Sequence, residues 1–431
     1  MSSDPNQTSN ISFYRWIRLL LQPGIGIKRW LLVGGFGFLV LAAALAASLA
    51  SLLEVSEVNL AQKLTLSGSF SDVLRGALLA TSGIALAGIA SFMLYRRMAW
   101  GAHLAQGSRG IIEGLAGYRY RSGGPTIVAI GGGTGLSSLL RGLKEHTHNI
   151  TAIVTVADDG GSSGRLREEL GILPPGDARQ CLIALSDSEP LMEQVFSHRF
   201  LSGEGLAGHS VGNLLLAALV ESEGDFQHAL QAAGKLLAVR GQVSPSSLNP
   251  HIRLRARLAS GRDLAGESEI GHAGEPLTSL WIDPADTDAN PAAVEAIQEA
   301  DIIVIGPGSL YTSILPNFLI GGIADAVRGS NAAKIFVCNI ATQHGETDGL
   351  NAVDHLREFE HYASVQVSHF LVNSNVRPID PEFHQQPLEP VDRVNGDWIR
   401  VIQRNMVDDT KISHHDPARL ATAVLDAANG R

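Results

Sequence analysis

The sequence Thr126-Ile-Val-Ala-Ile-Gly-Gly-Gly-Thr-Gly135 decides the fold class of this chain. It is an apolar run that ends in glycines, and the pattern from Leu136 to Lys144 after it predicts a helix. A strand would therefore deliver a glycine-rich turn to a helix N-terminus. Free backbone N–H groups and the helix dipole favour a phosphate at such a terminus, and glycines let the backbone approach it closely.

A second glycine-rich loop follows the next apolar run, Ile150 to Val156. It reads Ala157-Asp-Asp-Gly-Gly-Ser-Ser-Gly-Arg165. Two such loops after consecutive strands would lie side by side at the carboxyl edge of a parallel sheet, where open α/β sheets bind ligands. The pattern indicates that the chain binds a nucleotide or another phosphorylated molecule, although simple tight turns are the plainer interpretation of each loop.

The glycine spacing argues against two common nucleotide-binding motifs. The NAD fingerprint G-x-G-x-x-G needs a third glycine where this chain has Leu136 or Ser138, depending on which glycine begins the motif. Asp158 does stand about 20 residues on, where that motif places its ribose-binding acid, but we expect no NAD. A P-loop is excluded because no Lys-Ser or Lys-Thr follows either cluster at the required distance.

Strands and helices alternate over the rest of the chain and predict an α/β fold with a Rossmann-like, doubly wound parallel sheet. Predicted strands run over 301–305, 334–338 and 369–373, and predicted helices over 290–299 and 349–360. The stretch from Gly241 to Asp286 shows scattered alternation and turn residues instead. It predicts a small inserted β region within a nucleotide-binding domain that spans residues 126–431.

Two uncharged segments near the N-terminus, 30–53 and 76–95, are long enough to cross a bilayer. They predict a transmembrane hairpin within residues 1–100, with buried core helices as the alternative, and a juxtamembrane linker over 101–125. Basic residues flank both outer ends: Arg15, Arg18, Lys28, Arg29, Arg96, Arg97, Arg109, Arg119 and Arg121. The positive-inside rule then places both ends in the cytosol. We therefore expect a multi-pass cell-membrane protein with a cytoplasmic domain.

The composition limits the binding partners and the cellular compartment that we expect. The formal net charge of −10 over 431 residues argues against a general nucleic-acid partner. Only Cys181 and Cys338 occur, too few for a disulfide framework and consistent with a reducing compartment. The sequence leaves the oligomeric state open, a homo-oligomer included.

Five motifs in order resemble those of the bacterial gluconeogenesis factor family, which shares a superfamily with 2-phospho-L-lactate transferase. They are Ile130-Gly-Gly-Gly-Thr-Gly135, the loop from Thr155 to Arg167, Ile172-Leu-Pro-Pro-Gly-Asp177, Gly208-His-Ser-Val-Gly-Asn213 and Gly306-Pro-Gly-Ser-Leu-Tyr-Thr-Ser313. The resemblance covers the chain from about Thr126 to the C-terminus, so that nothing about the hairpin follows from it. One departure is Gln180, where the family pattern has asparagine.

The resemblance implies a Rossmann-like domain that binds a UDP-sugar and influences cell shape, wall metabolism and carbon metabolism. In the transferase branch, the same architecture moves a phospholactyl group onto a deazaflavin alcohol with a divalent metal. The loops of this chain follow the first branch. We therefore expect a membrane-tethered regulatory binder of a UDP-sugar, with a Mg²⁺-dependent transferase of a phospholactyl or phosphoryl group as the alternative.

The glycine loops supply the expected phosphate contacts, through backbone N–H groups, hydroxyls and a guanidinium. They are Gly131, Gly132, Gly133, Thr134, Gly135, Gly160, Gly161, Ser162, Ser163, Arg165, Gly306, Gly308 and Ser309. A solvated helix face is the alternative for Arg165 and for Arg167.

Acidic and polar side chains near the same predicted edge are the expected substrate contacts: Asp158, Asp159, Asp177, His209, Asn213, Asn339, Thr342 and Gln343. Asp158 and Asp159 could hold Mg²⁺, contact a base, or form an Asx turn. Asp177 reads as a helix N-cap, and the resemblance matches it to a substrate-contacting aspartate of the transferase branch. His414-His415-Asp416-Pro417 is explained by Asp416 as an N-cap.

Overall fold

The computed structural model describes residues 27–54, 77–93, 123–187, 190–394 and 398–430. The chain divides into two compact units, Met1–Tyr120 and Arg121–Arg431. The predicted linker, 101–125, lies almost entirely outside the described residues.

The first unit contains two helices, α1 (Ile27–Glu54) and α2 (Ala77–Met93). They pack at small residues: a Cβ added to Gly83 would lie 3.0 Å from the carbonyl oxygen of Gly37. Over the described residues, no single helix is both long enough and apolar enough to cross a membrane, and the apolar stretches Leu32–Leu45 and Ala77–Met93 are shorter than the predicted spans. Two helical segments joined by a sharp bend, Leu310–Phe318 and Gly321–Gly329, are together long and apolar enough to cross a membrane, judged by length and composition only.

The second unit is built on a seven-stranded sheet in the order β10-β9-β8-β7-β1-β2-β3, with every neighbouring pair parallel. A three-stranded antiparallel sheet, β5-β4-β6, is inserted between β3 and β7. The main strands are β1 (Ile127–Gly131), β2 (Ile150–Val154), β3 (Gln242–Pro245), β7 (Ile302–Ile305), β8 (Ala333–Val337), β9 (His369–Asn373) and β10 (Arg400–Arg404). The inserted strands are β4 (Arg253–Leu258), β5 (Asp263–Ala265) and β6 (Leu277–Asp283).

This strand order reverses beside β1, which has β2 on one side and β7 on the other. The reversal is the topological switch point of a Rossmann-like sheet, where ligands bind outside the carboxyl ends of the strands. The predicted parallel sheet is therefore confirmed. Its strands are apolar because helices cover both faces of the sheet.

Helices α3 (Gly133–Leu143), α5 (Gly176–Leu185) and α14 (Pro417–Ala428) pack together beside the sheet. Because right-handed crossovers run in opposite directions from the switch point, the helices between β7 and β9 cover the other face. The helices between them are α4 (Gly161–Leu170), α6 (Pro190–Ser197), α7 (Val211–Glu223), α8 (Phe226–Leu236), α9 (Glu267–Ile270), α10 (Pro291–Gln298), α11 (Leu315–Phe318), α12 (Gly321–Gly329) and α13 (Ala352–Ala363). A π-helical turn, Leu310–Ile314, precedes α11, and a 3₁₀ turn spans Pro381–Phe383.

Two local predictions need correction, and one strand was not predicted. The inserted β region begins at Arg253 rather than at Gly241, because Gln242–Pro245 pairs with β2 as an edge strand of the main sheet. An edge strand tolerates the proline that ends it. Strand β10, Arg400–Arg404, was not predicted, since its polar sequence lacks an apolar run. The N-cap of α5 is Pro175, so that Asp177 lies inside the first turn and is not the cap.

Candidate functional site

A cleft of about 340 Å³ lies at the switch point. Four segments line it: Gly132–Gly135 after β1, Pro307–Ser309 after β7, Asn339–Gln343 after β8, and Ser413–His415 beyond β10. Ser138, Ser313 and Gln385 complete the wall. Among these described lining residues there is no aspartate, glutamate, lysine or arginine. An anion bound here would therefore be held by backbone N–H groups, hydroxyls and amides.

The β1 loop brings a helix N-terminus to the cleft. Gly132 is the N-cap of α3 and has no side chain that could cap it, so that the positive end of the helix dipole lies in the wall of the cleft. Gly133 adopts φ +65°, a left-handed conformation that disfavours other residues. At Gly135 an added Cβ would lie 2.5 Å from the Pro307 carbonyl oxygen, so glycine is required where the two loops touch.

The β7 loop is held by side chains from the β8 loop. The Asn339 amide donates to the Gly308 carbonyl at 2.8 Å and its oxygen accepts from the Gly308 N–H at 3.1 Å. Thr342 is buried, and its hydroxyl accepts from the Gln386 N–H at 2.9 Å. Gln343 accepts a short hydrogen bond from the Ser309 hydroxyl. Asn339 and Thr342 thus shape the cleft, and both also line it.

The turn after β7 was expected to contact a phosphate, and a carboxylate of the chain itself lies there. Glu346 accepts from the backbone N–H groups of Tyr311 at 2.7 Å and Thr312 at 3.2 Å. The Ser309 hydroxyl lies 2.8 Å from its second oxygen. Sequence reasoning missed Glu346, because nothing in the polar stretch around it indicates a contact with the β7 loop.

Asp177 lies against the first glycine loop. A Cβ added to Gly132 would lie 2.3 Å from its Oδ2 atom, and the backbone N–H of Gly133 hydrogen-bonds to the carboxylate. Burial, together with the charge of Asp158, raises the pKa of Asp177 to about 7. A partly protonated carboxyl group therefore lies beside the predicted phosphate loop at neutral pH.

The two aspartates of the second loop face different elements. Asp158 Oδ1 accepts from the Gly160 N–H at 2.9 Å, which is the Asx turn. Asp159 Oδ1 accepts from both the backbone N–H and the hydroxyl of Ser268, at 3.0 and 2.9 Å, in the inserted region. Within the described parts of the chain, no three His, Cys, Asp or Glu side chains come together in an arrangement that could hold a metal ion. Both carboxylates are engaged by these hydrogen bonds, and magnesium binding stays a prediction.

Glu267, in the inserted region, is a third carboxyl group close enough to interact with the charges of Asp158 and Asp177. Burial raises the pKa of Glu267 to about 9, and the charges of Asp158 and Asp177 add to the effect. Burial likewise raises the pKa of Asp158. These acidic groups from the second glycine loop, α5 and the insertion destabilise one another when ionised.

His209 and Asn213 are buried behind the second loop and do not line the cleft. His209 Nδ1 lies 2.9 Å from the Ser162 hydroxyl, which also accepts from the Asn213 amide at 3.0 Å. The Asn213 oxygen accepts from Arg179 at 2.9 Å. Burial, and then the charge of Arg165, lowers the pKa of His209. The network fixes Ser162 at the start of α4.

The remaining residues of the second loop also lie outside the cleft. Arg165 is exposed and donates to the Ala207 carbonyl at 2.7 Å. Arg167 is buried and donates to the carbonyl groups of Pro250 and Asp158. Gly160 is the N-cap of α4, and Gly161 adopts φ +48°.

Comparison with known proteins identifies the family. The family profile of the 2-phospho-L-lactate transferase CofD matches residues 127–409. The chain belongs to this family. It is 45% identical over 310 residues to the gluconeogenesis factor of Bacillus subtilis. The alignment covers 70% of this chain and 98% of that protein. The expected gluconeogenesis factor resemblance is thereby confirmed.

Two further CofD-family relatives bear on structure and length. The crystal structure of a UPF0052 family member from Bacillus halodurans has a TM-score of 0.66 and 44% identity, covering 70% of this chain and 99% of that chain. A relative from Nostoc sp. is 41% identical over 435 residues, covering 96% of this chain and 92% of its own. That alignment includes most of the N-terminal unit, which corrects the expectation that the resemblance begins near Thr126.

Proposed function

We propose that this protein binds a UDP-sugar in the switch-point cleft and acts as a regulator of cell shape, wall metabolism and carbon metabolism. The observation that carries the proposal is the cleft itself. The N-terminus of α3 enters one wall, and hydroxyls, amides and imidazoles line much of the rest. Backbone N–H groups suit a diphosphate, whereas neutral hydrogen-bonding side chains suit a sugar or a base.

The alternative is a transferase of a phosphorylated group. The buried carboxyl groups of Asp158, Asp177 and Glu267 favour it: burial is the main cause of their raised pKa values, like charges add to it, and a bound cation would stabilise the ionised forms. The UDP-sugar binder is preferred because these three groups do not line the cleft.

We further propose that the N-terminal helices tether the protein to the cell membrane, with the second unit in the cytoplasm. Large apolar side chains on α1 and α2 are exposed, among them Phe36, Phe38 and Ile84 at 62%, 69% and 62%. The seam between the helices is formed by Gly37, Gly83 and other small residues. Close packing at glycines with large apolar groups outward is typical of helices in lipid.

Titration calorimetry with UDP-glucose tests the binding proposal. Gly133→Val should abolish binding, because its side chain would enter the space that the phosphate needs. The matched control is Gly171→Val: Gly171 has φ +66°, against +65° for Gly133, and nothing within 4 Å of an added Cβ. Both variants carry a similar backbone strain of about 1–2 kcal/mol. Equal affinity of wild type and Gly133→Val would refute the assignment of the β1 loop.

A further inference from the structure

The wall of the cleft contains one exposed side chain that can carry a full charge near neutral pH. The described lining residues include no aspartate, glutamate, lysine or arginine, and only His414 and His415 among them have an ionisable side chain. His415 is 6% exposed, whereas His414 is exposed. Within this described wall, His414 is therefore the residue that a ligand could meet as a cation.

The polar group that His414 can offer to a ligand is its ring. Its backbone N–H donates to the Lys411 carbonyl at 2.8 Å, and its carbonyl accepts from the Asp408 N–H at 2.9 Å. The ring is held beside the cleft, because Nδ1 lies 3.1 Å from the hydroxyl oxygen of Ser413, which also lines it. The backbone groups and Nδ1 are thus engaged, and Nε2 is the atom left for a ligand.

The carboxylates nearest to His414 in the chain are held by other groups. Asp408 accepts from the Thr410 N–H at 2.7 Å, and Asp416 caps α14 by accepting from the Arg419 N–H at 2.8 Å. Lys411, in the same turn, is exposed and carries a charge of the same sign as a protonated imidazole. The positive charge of His414 would therefore be available to an anion in the cleft.

A diphosphate gains more from such a group than from the rest of the wall. The N-terminus of a helix supplies about half a unit charge, and hydroxyls and amides supply none. Imidazole side chains take up a proton between about pH 8 and pH 5, and a protonated imidazole donates a charge-assisted hydrogen bond to a phosphate oxygen.

We propose that His414 donates a hydrogen bond from Nε2 to the diphosphate of the bound UDP-sugar, and that it takes up a proton from solvent as the ligand binds. The inference rests on the proposed function. It adds the residue that gives the cleft a full positive charge, and it makes the affinity dependent on pH.

Asp177 is the other group near the β1 loop whose charge changes in this pH range. Burial raises its pKa to about 7, and it accepts from the Gly133 N–H, so that its ionisation would also weaken anion binding as pH rises. The diphosphate of UDP-glucose is esterified at both ends and stays ionised throughout. Because a His414 variant leaves Asp177 unchanged, its difference from wild type isolates the effect of His414.

Titration calorimetry of full-length wild type and His414→Gln with UDP-glucose, at about pH 5.5 and pH 8, tests the inference. Glutamine keeps a neutral donor, so the two proteins should bind equally at pH 8. At pH 5.5 the variant should bind about tenfold more weakly, because it lacks the charge-assisted hydrogen bond. His361→Gln is the matched control: His361 is exposed and does not line the cleft, and this variant should follow wild type at both pH values.

The outcomes separate this inference from the proposed function. If the ratio of the two affinities is the same at both pH values, the inference is overturned and the proposed function stands. If wild type gives no binding heat at either pH, both are overturned. Titration at pH 7 in two buffers of different ionisation enthalpy measures proton uptake directly. Wild type should take up more protons per bound ligand than His414→Gln, and equal uptake would overturn the inference.

Discussion

At the residue scale, the described site depends on groups whose chemistry is set by contacts far away in sequence. The glycine loops and their strands could be predicted, because apolar runs and glycines are local signals. The role of Glu346 could not be, since it caps a turn that begins more than 30 residues earlier. The sequence explained His415 only as a neighbour of the helix N-cap Asp416, and that N-cap is present. Its contact with Cys338 at the end of β8 is a tertiary feature.

Asp177 gives a pH-dependent prediction at this scale. Its pKa is raised from 3.8 to about 7 in the folded protein, so the folded state binds more protons than the unfolded state between those values. The free energy of unfolding therefore falls as pH rises through this window. Asp177→Asn should be more stable than wild type at pH 8, with the advantage shrinking toward pH 4. Urea unfolding at both pH values measures this, and a pH-independent difference would contradict it.

At the element scale, the sheet was predictable and the loops were not. Strands β7, β8 and β9 were predicted within one residue at each end, because buried parallel strands are continuous apolar runs. Strand β10 and the exact place of the insertion depend on pairing partners instead. The roles of His209 and Asn213 likewise depend on tertiary contacts. Their motif could be recognised in the sequence, whereas their hydrogen bonds to Ser162 form only where α4 and α7 pack together.

The turn after β7 provides the prediction at this scale. Glu346→Ala removes the acceptor for the Tyr311 and Thr312 N–H groups and should lower the free energy of unfolding by about 1 kcal/mol, as for a lost helix cap. Glu346→Gln keeps one acceptor and should lose less. The exposed control, Glu275→Ala, should change stability by less than about 0.5 kcal/mol. Chemical unfolding that fails to separate Glu346→Ala from this control would show that the cap contributes nothing.

At the scale of the whole molecule, the family assignment covers the second unit, and the Nostoc alignment extends it to most of the chain. The topology of the first unit is tested by labelling single cysteines in intact cells. Ser67 and Ser122, both outside the described residues, would be on opposite sides of the membrane if the hairpin is correct. The native Cys181 and Cys338 are buried and should give little background. Labelling from outside should reach Ser67→Cys only, and external labelling of Ser122→Cys would contradict the topology.

The central claim is that the protein binds a UDP-sugar and does not consume it. Phosphorus NMR of UDP-glucose mixed with stoichiometric full-length protein and Mg²⁺ tests both parts in one sample. The account predicts shifted diphosphate resonances with wild type, unshifted ones with Gly133→Val, and an intact UDP-sugar after hours. Unshifted resonances with wild type would contradict binding. Magnesium-dependent appearance of UDP or UMP would contradict the regulatory function and favour the transferase.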